Sequence, residues 1–584
     1  MRVHEPRVAC FEEPSAGEGI AMGVHGHEDV HTADSITTET IVTVTDRDIY
    51  VAGEQVYFAL HHFLNGISHG GEGFYYLILQ NAAGENVLSL TNFFQEGQTH
   101  GGFYLPDTLQ TSIYQVFAFT DAMRQKGCSL HVRQLLIVNR FDEELTDTGI
   151  VFDDASESPM ERFMPRQPPA DDAVSEPVVN IRHDQTVIGR RGKLQLEVEN
   201  LGGFTNVTVS VARIESFLPG SDKPKRVPVT EKAWPTGAEP PSREISKILL
   251  RGVLTDSHTR QGVGGRHIML TRPDTMLNLL YARTGPDGSF IFELPAYYFD
   301  KEIFLQPFES YHDSLAIEVE NKWDVRPGIM AGTAHLHPTM REYIDLLRRS
   351  VTVTKAYPAG FGRESLSDLS LLNGTGPRVY SKASHDYALD DFEPLDDLQD
   401  ITRELIPFMR VRRQGERYAI RVMNENHAYQ FFDQAPMVFL DGVPVADFGH
   451  VADLGSLQLK RIELVSVPWR YGSLEFEGVL SLFSRRTGSL VGERTQPLKR
   501  LTMPQVHTAQ VLKTPDYGRE HALAHVPDYR HTLFWAPRLE TNGNQPATLS
   551  FFAGDLPGTY AVRLQAVMPG GQVVVQVTTF EVSL

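Results

Sequence analysis

The first thirty-five residues show no periodic spacing of apolar side chains. They are polar, contain Gly and His at irregular intervals, and read as a flexible leader. From Thr37 the pattern changes. Thr40-Ile41-Val42-Thr43-Val44-Thr45 alternates, Asp46-Arg47-Asp48 turns, and Gln55-Val56-Tyr57-Phe58-Ala59-Leu60 alternates again. Further strands are expected at Phe74–Gln80, Val87–Leu90, Tyr114–Thr120 and Leu135–Asn139. Short alternating runs divided by Gly, Asn and Asp turns predict a β-sandwich over 36–140.

Residues 141–176 are rich in Asp, Glu, Ser and Pro and read as a linker or long surface loop. A second sandwich is expected at 177–217, extending to 243 if the following Pro- and Lys-containing stretch belongs to it, with strands at Lys193–Val198 and Val207–Arg213. A compact β unit fills 244–322. The stretch 338–405 reads as a helical connector with loops: Met340, Tyr343, Ile344 and Leu347 recur three and four apart, and Leu395, Leu398, Ile401, Thr402 and Leu405 share a second, shorter face. Mixed α and β structure follows over 406–486, and a C-terminal β domain over 487–584. The expected class is mainly β and multidomain, with immunoglobulin-like or macroglobulin-like sandwiches and one small α+β domain.

Bulk properties narrow the functional classes. A chain of 584 residues exceeds one hydrophobic core, and 41% hydrophobic with 22% charged residues is ordinary globular composition. The formal net charge of −20 argues against a general nucleic-acid binder or a polybasic membrane contact. No run approaches 18 apolar residues, so no transmembrane helix is expected, and the first residues contain no signal-length apolar stretch. Val8-Ala9-Cys10 faintly resembles the end of a lipobox, but Arg2, Glu5 and Arg7 oppose that reading. Cys10 and Cys128 make neither a disulfide framework nor a metal site.

Four segments together carry a resemblance. Thr45 to Phe58, with Gly102-Phe103-Tyr104-Leu105-Pro106-Asp107 and Tyr114–Thr120, resembles a macroglobulin domain. Leu250–Asp256, Gly262-Val263 and Thr284–Phe292 resemble a carboxypeptidase-regulatory-like sandwich, whose Asp287-Gly288 turn is also a hairpin signal in its own right. Pro436–Val445, Lys460–Val465, Tyr471-Gly472 and Gly478–Leu482 resemble the plug of TonB-dependent receptors. Val526–Trp535 with Leu549–Asp555 and Gly558-Thr559-Tyr560, and before the plug Leu389–Phe392 and Arg403–Pro407, are similar to large envelope proteins of Bacteroidota that join these modules in this order.

The resemblance implies a protein of the periplasm or outer membrane. A receptor barrel commonly needs about 22 strands of about ten residues, which 487–584 cannot supply, so transport by this chain alone is not expected. The thioester sequence of protease-trapping macroglobulins is also absent: Gly127-Cys128-Ser129-Leu130 does not match it.

Candidate chemistry is sparse. No HExxH, GxSxG, Walker-type or Rossmann fingerprint occurs. Of 22 histidines, His25, His27 and His31 cluster in the leader with Glu28 and Asp29, His335 and His337 would share a strand face, and His61 and His62 would point oppositely. None of these predicts a metal site. Gly262–Gly265 reads as a loop, Asp390-Asp391 and Asp396-Asp397 as a solvated acidic face or a helix start, and Asp441-Gly442 as a tight turn. No catalytic, cofactor-binding or metal residue is expected, and no cofactor. Tyr529, Arg530, Phe534 and Trp535 form the one candidate interface, set against a core-facing strand with a snorkelling arginine.

The expected function is therefore a non-enzymatic envelope scaffold that binds an outer-membrane or periplasmic protein, with no nucleic-acid partner. The alternatives are an accessory component supplying a plug to a barrel on another chain, and a thioester-free protease inhibitor using 141–176 as its bait.

Overall fold

Alternation of apolar and polar side chains builds the first sandwich. The computed structural model describes residues 39–584 apart from internal stretches, the longest of which are 143–149, 160–179, 231–243, 308–314, 358–379 and 504–511. One sheet pairs Glu39–Thr45 with Gln55–Leu64 and the latter with Gln98–Tyr104, all antiparallel. The facing sheet contains Gly73–Gln80, Asn86–Phe94, Ser112–Phe119 and Leu130–Val138. Val56, Phe58, Leu60, Tyr75, Leu77, Phe117 and Leu135 fill the space between them. Lys225–Val227, from the stretch expected to be a linker, joins the edge of Leu130–Val138.

The two stretches expected as separate units, 177–217 and 487–584, contribute strands to the same two sheets. Lys193–Glu199 lies between Asn180–His183 and Ala547–Phe552. Asn206–Arg213 lies between Thr532–Ala536 and Gly558–Val567, and Val573–Ser583 follows. In Lys193–Glu199 the apolar Leu194, Leu196 and Val198 point inward while the intervening polar positions face solvent. A half-sandwich of such strands would leave that apolar face in water, and strands from the far end of the chain cover it.

The third sandwich is completed in the same way. Ile248–Asp256, Ser289–Leu294 and Leu315–Val319 form one sheet. His267–Arg272, Asn278–Arg283 and Glu302–Pro307 form the other, extended by Lys499–Thr502 from beyond the α+β unit. The Asp287-Gly288 turn is real: Gly288 sits at φ +80°, and a Cβ there would lie 2.3 Å from the Leu254 carbonyl oxygen.

The α+β unit has a five-stranded sheet of His385–Ala388, Leu459–Tyr471, Leu474–Ser484, Met437–Leu440 and Val443–Pro444. A three-stranded sheet of Met409–Gln414, Arg417–Asn424 and Gln430–Phe431 and the helix Leu398–Glu404 enclose its core. Asp397 caps that helix by accepting from the Asp400 amide at 2.7 Å, so part of the acidic run is a helix start.

The helix Met340–Ala356 matches its spacing pattern, but it is docked on the first sandwich. Tyr343, Ile344, Leu347 and Val351 pack against Ile49, Val51, Leu136 and Val138. Burial of four such side chains contributes about 1.5–3 kcal/mol each. Ile150–Phe152, inside the expected linker, pairs in parallel with Ala334–Leu336 just before this helix.

If 526–584 closes the second sandwich, ending the chain at residue 525 should make 180–217 rapidly cleavable by trypsin. Supplying 526–584 as a separate polypeptide should restore protection. Protection of 180–217 in the shortened chain would mean that the sandwich closes without its distal strands.

Candidate functional site

The densest polar constellations lie where modules meet. The turn Asp46-Arg47-Asp48 carries three charges into an almost water-free site, with Asp46 at 1%, Arg47 at 4% and Asp48 at 0% exposure. Asp46 accepts from Tyr50 Oη at 2.7 Å, the Tyr57 amide at 2.9 Å and Thr532 Oγ1 at 2.6 Å. Asp48 accepts from Arg133 Nη2 at 2.5 Å and Nε at 3.1 Å, and on its other oxygen from the Leu218 amide at 3.1 Å. Arg563 Nη1 approaches that second oxygen at 3.4 Å, and its Nη2 donates to the Thr45 carbonyl at 3.0 Å. The Arg563 guanidinium also lies 4.1 Å from the centre of the Phe217 ring. One aspartate thus ties together the first sandwich, the loop after Asn206–Arg213 and the C-terminal strand Gly558–Val567.

Burial sets the proton affinities here. It raises the Asp46 carboxyl against the pull of Arg47 and three hydrogen bonds. Arg47 donates to Glu54 at 2.7 Å and lies 4.4 Å from the Tyr50 ring centre. Close by, Tyr343 of the docked helix hydrogen-bonds Ser216 across 2.5 Å and meets the His531 ring edge-on at 5.6 Å. Burial, then Arg47 and Arg213, hold His531 far below the usual imidazole range.

A second constellation joins the first and third sandwiches. Asp121, Glu244 and Glu320 balance Arg124, Arg251 and Lys322, all with side chains no more than 8% exposed. Arg124 Nη2 donates to Asp121 at 2.8 Å and to Glu320 at 2.5 Å, while Arg251 Nη1 reaches Asp121 at 2.6 Å. Lys322 pairs with Glu244, which also accepts from Tyr76 Oη and the Leu249 amide, each at 2.7 Å. Burial pushes the Asp121 carboxyl up, but Lys322, Arg124 and Arg251 outweigh it and hold the group down at about 2. For Glu244 burial wins over Lys322, and its pKa is raised.

Chemically these groups are committed. Each carboxylate is met by cations or amides, so neither constellation offers a free base or nucleophile to a substrate. Among the described residues no group of three or more His, Cys, Asp or Glu side chains could hold a metal ion. No described helix is long and apolar enough to cross a membrane, which says nothing of β-barrels.

Three of the four candidate interface residues make contacts within the chain. Arg530 forms a two-pronged pair with Asp528, Nε and Nη2 each at 2.7 Å. Phe534 stacks on Phe551 with ring centres 5.5 Å apart, and Tyr529 is half-buried. Trp535, 4% exposed, packs with Val42, Val44, Ala59, Phe63 and Val567 between the first and second sandwiches. Trp535 is therefore an anchor within the molecule, while Tyr529, Arg530 and Phe534 stay half-buried.

The other candidates resolve simply. His25, His27, His31 and Cys10 lie outside the described residues, and Cys128 is half-buried and free. His335 is exposed, 3.9 Å from Asp153, and His337 bonds Thr339 at 2.9 Å. His62 pairs with Glu39 at 2.7 Å, whereas His61 on the opposite face is buried with neither ring nitrogen bonded. Asp441, at φ +49°, makes its tight turn and also accepts from the Ser484 and Gly488 amides, both at 2.8 Å. Sequence reasoning missed Arg133 and Arg563, although an arginine inside an otherwise apolar strand, as in Tyr560-Ala561-Val562-Arg563-Leu564, is a legible signal of a buried partner.

No family model and no curated protein matches the chain. Solved structures with some likeness include Escherichia coli alpha-2-macroglobulin activated by porcine elastase, at 9% identity and TM-score 0.23, covering 94% of this chain and 44% of that one. Salmonella alpha-2-macroglobulin reacted with methylamine gives 9% and 0.23, covering 95% and 40%. Dimeric latent PorU from Porphyromonas gingivalis gives 8% and 0.15, covering 93% and 34%. The chain spans less than half the length of these proteins, and likeness at such TM-scores carries no argument about it.

Asp48→Asn should strand two buried guanidinium groups and cost about 3–5 kcal/mol. Hydrogen exchange across Gly558–Val567 in a urea series reads this locally, and unchanged protection there would show that the pairs do not hold the junction. A second test uses pH. Burial lowers His61 to about 4 from an ordinary 6.5. A depressed imidazole favours the folded state above pH 6.5, and that stability, about 3 kcal/mol, should be lost as pH falls from 6.5 to 4. His61→Phe should flatten the pH dependence of exchange in Gln55–Leu64; a profile identical to that of the parent chain would exclude His61 as its source.

Proposed function

We propose that this protein is a non-enzymatic scaffold of the cell envelope that binds an outer-membrane or periplasmic protein. The observation that carries this reading is the use of its buried charges. The acids and bases of the two buried constellations are consumed where sandwiches join, fixing the modules relative to one another and leaving strand edges and loops as outward features. A rigid array of this kind is suited to presenting surfaces at set distances. The envelope location and the class of partner rest on the order of modules to which the sequence is similar.

The α+β unit shares a packed face with the third sandwich. Met269 and Leu279 lie against Val465, Phe476 and Val479, Tyr471 Oη donates to the Leu279 carbonyl at 2.9 Å, and Gln306 donates to the Pro444 carbonyl at 3.0 Å. This packing favours a scaffold module over a plug seated alone within a separate barrel.

A photo-crosslinking residue at Ile67 or Leu457, exposed at 71% and 76%, reports on neighbours in cells. The expected product is an adduct with one outer-membrane or periplasmic protein. Adducts containing only this chain at both positions would sink the reading. Purified protein should also show no turnover in a hydrolase panel that is abolished by a single substitution.

A further inference from the structure

The hairpin Met409–Gln414 and Arg417–Asn424 has two unlike faces. Met409, Ile420 and Val422 are buried in the α+β core, with Val411 and Tyr418 packed against it. The opposite face carries Arg410, Arg412 and Arg421, all exposed. Arg410 stands directly across from Arg421, and Arg412 from Ala419. Like charges directly opposite on neighbouring strands destabilise a sheet. Among the described residues no carboxylate pairs with any of the three, in a chain whose net charge is −20. The Arg410 guanidinium lies 4.5 Å from the centre of the Phe431 ring. Met409–Gln414 is also the outer strand of its three-stranded sheet, so one main-chain edge faces away from Arg417–Asn424.

We infer that this arginine face and open edge form a docking site for an extended acidic peptide segment of the partner protein. Two features select that occupant. Side chains on one face of a strand repeat at about 6.6 Å, so Arg410 and Arg412 match carboxylates at alternate positions of an added strand. The edge of Met409–Gln414 that no described strand pairs with supplies the main-chain hydrogen bonds that strand addition uses. Guanidinium forks take carboxylates in pairs, and a ligand supplying them relieves the Arg410–Arg421 repulsion. Long polyanions such as nucleic acid or an anionic bilayer would also meet the repulsive field of the whole acidic chain, whereas a short segment meets chiefly the local stripe. The inference deepens the scaffold reading and rests on it, by giving the chemistry of the partner's contact.

The test uses the full chain and four probes at low salt: a fluorescent ten-residue peptide alternating Glu and Thr, the same composition with its five Glu residues contiguous, a ten-nucleotide oligothymidylate, and phosphatidylglycerol vesicles. The alternating peptide should bind most tightly. Arg410→Gln/Arg412→Gln/Arg421→Gln should weaken it at least tenfold. The corresponding Lys triple should recover part of the loss. Arg413→Gln, on the other face of the same strand, should change binding less than twofold. Binding no better than the contiguous peptide, preference for oligothymidylate or vesicles, no binding by any probe, or equal effects of the triple and Arg413→Gln would each overturn the inference. Crosslinking separates this from the broader reading. If partner adducts persist in the Gln triple while the peptide fails to bind, the scaffold stands and this site falls. If the peptide binds as expected but no envelope partner is captured, the site is supported and the scaffold reading fails.

Discussion

Two of the junctions between modules in this molecule depend on neutralising charges that have been taken out of water. A buried ion without a partner costs several kcal/mol, so the Asp48–Arg133–Arg563 cluster holds only while all three contributing segments are in place. The same condition governs the six-membered cluster around Asp121, where three acids and three bases come from opposite sides of a module boundary. Apolar packing alone would let the sandwiches slide, because it has little directional preference. Guanidinium and carboxylate geometry restricts them to one arrangement.

The sheet containing Asn206–Arg213 and Gly558–Val567 shows how this shapes composition. Every residue of Asn206–Arg213 is buried, although its sequence alternates. Val207, Val209 and Val211 face the core of the second sandwich, while the polar Thr208 and Ser210 lie on the other side. On that side Ala561, Arg563, Gln565 and Val567 of the neighbouring strand are also buried, toward the first sandwich. Small polar side chains and one paired arginine occupy a face that a solitary sandwich would leave to solvent. Trp535 supplies the large apolar contact at the same boundary.

The arginine hairpin presents the opposite case. There the positive charges stand in water, so each costs little by itself, and no acid pairs with them among the described residues. The buried charges of the two constellations have partners of opposite sign within the chain, and Arg410, Arg412 and Arg421 have no carboxylate partner among the described residues. That contrast separates groups used to assemble the molecule from groups left for something outside it.

The sequence by itself determined the local elements. Period-two alternation marked Gln55–Leu60 and Lys193–Val198, three- and four-residue spacing of Met340, Tyr343, Ile344 and Leu347 marked a helix, and Asp287-Gly288 marked a turn, because each signal depends on neighbours a few residues away. Tertiary structure alone decided which strands share a sheet. Residues 177–217 and 526–584 complete one another across more than three hundred residues, and no local pattern encodes a partner so distant. It also decided what the charged and aromatic positions do. Trp535 was singled out and Arg563 was passed over, and whether such a side chain is spent inside or offered outside depends on what packs over it; a burial supplied by another segment cannot be read from the residue's own surroundings in the chain.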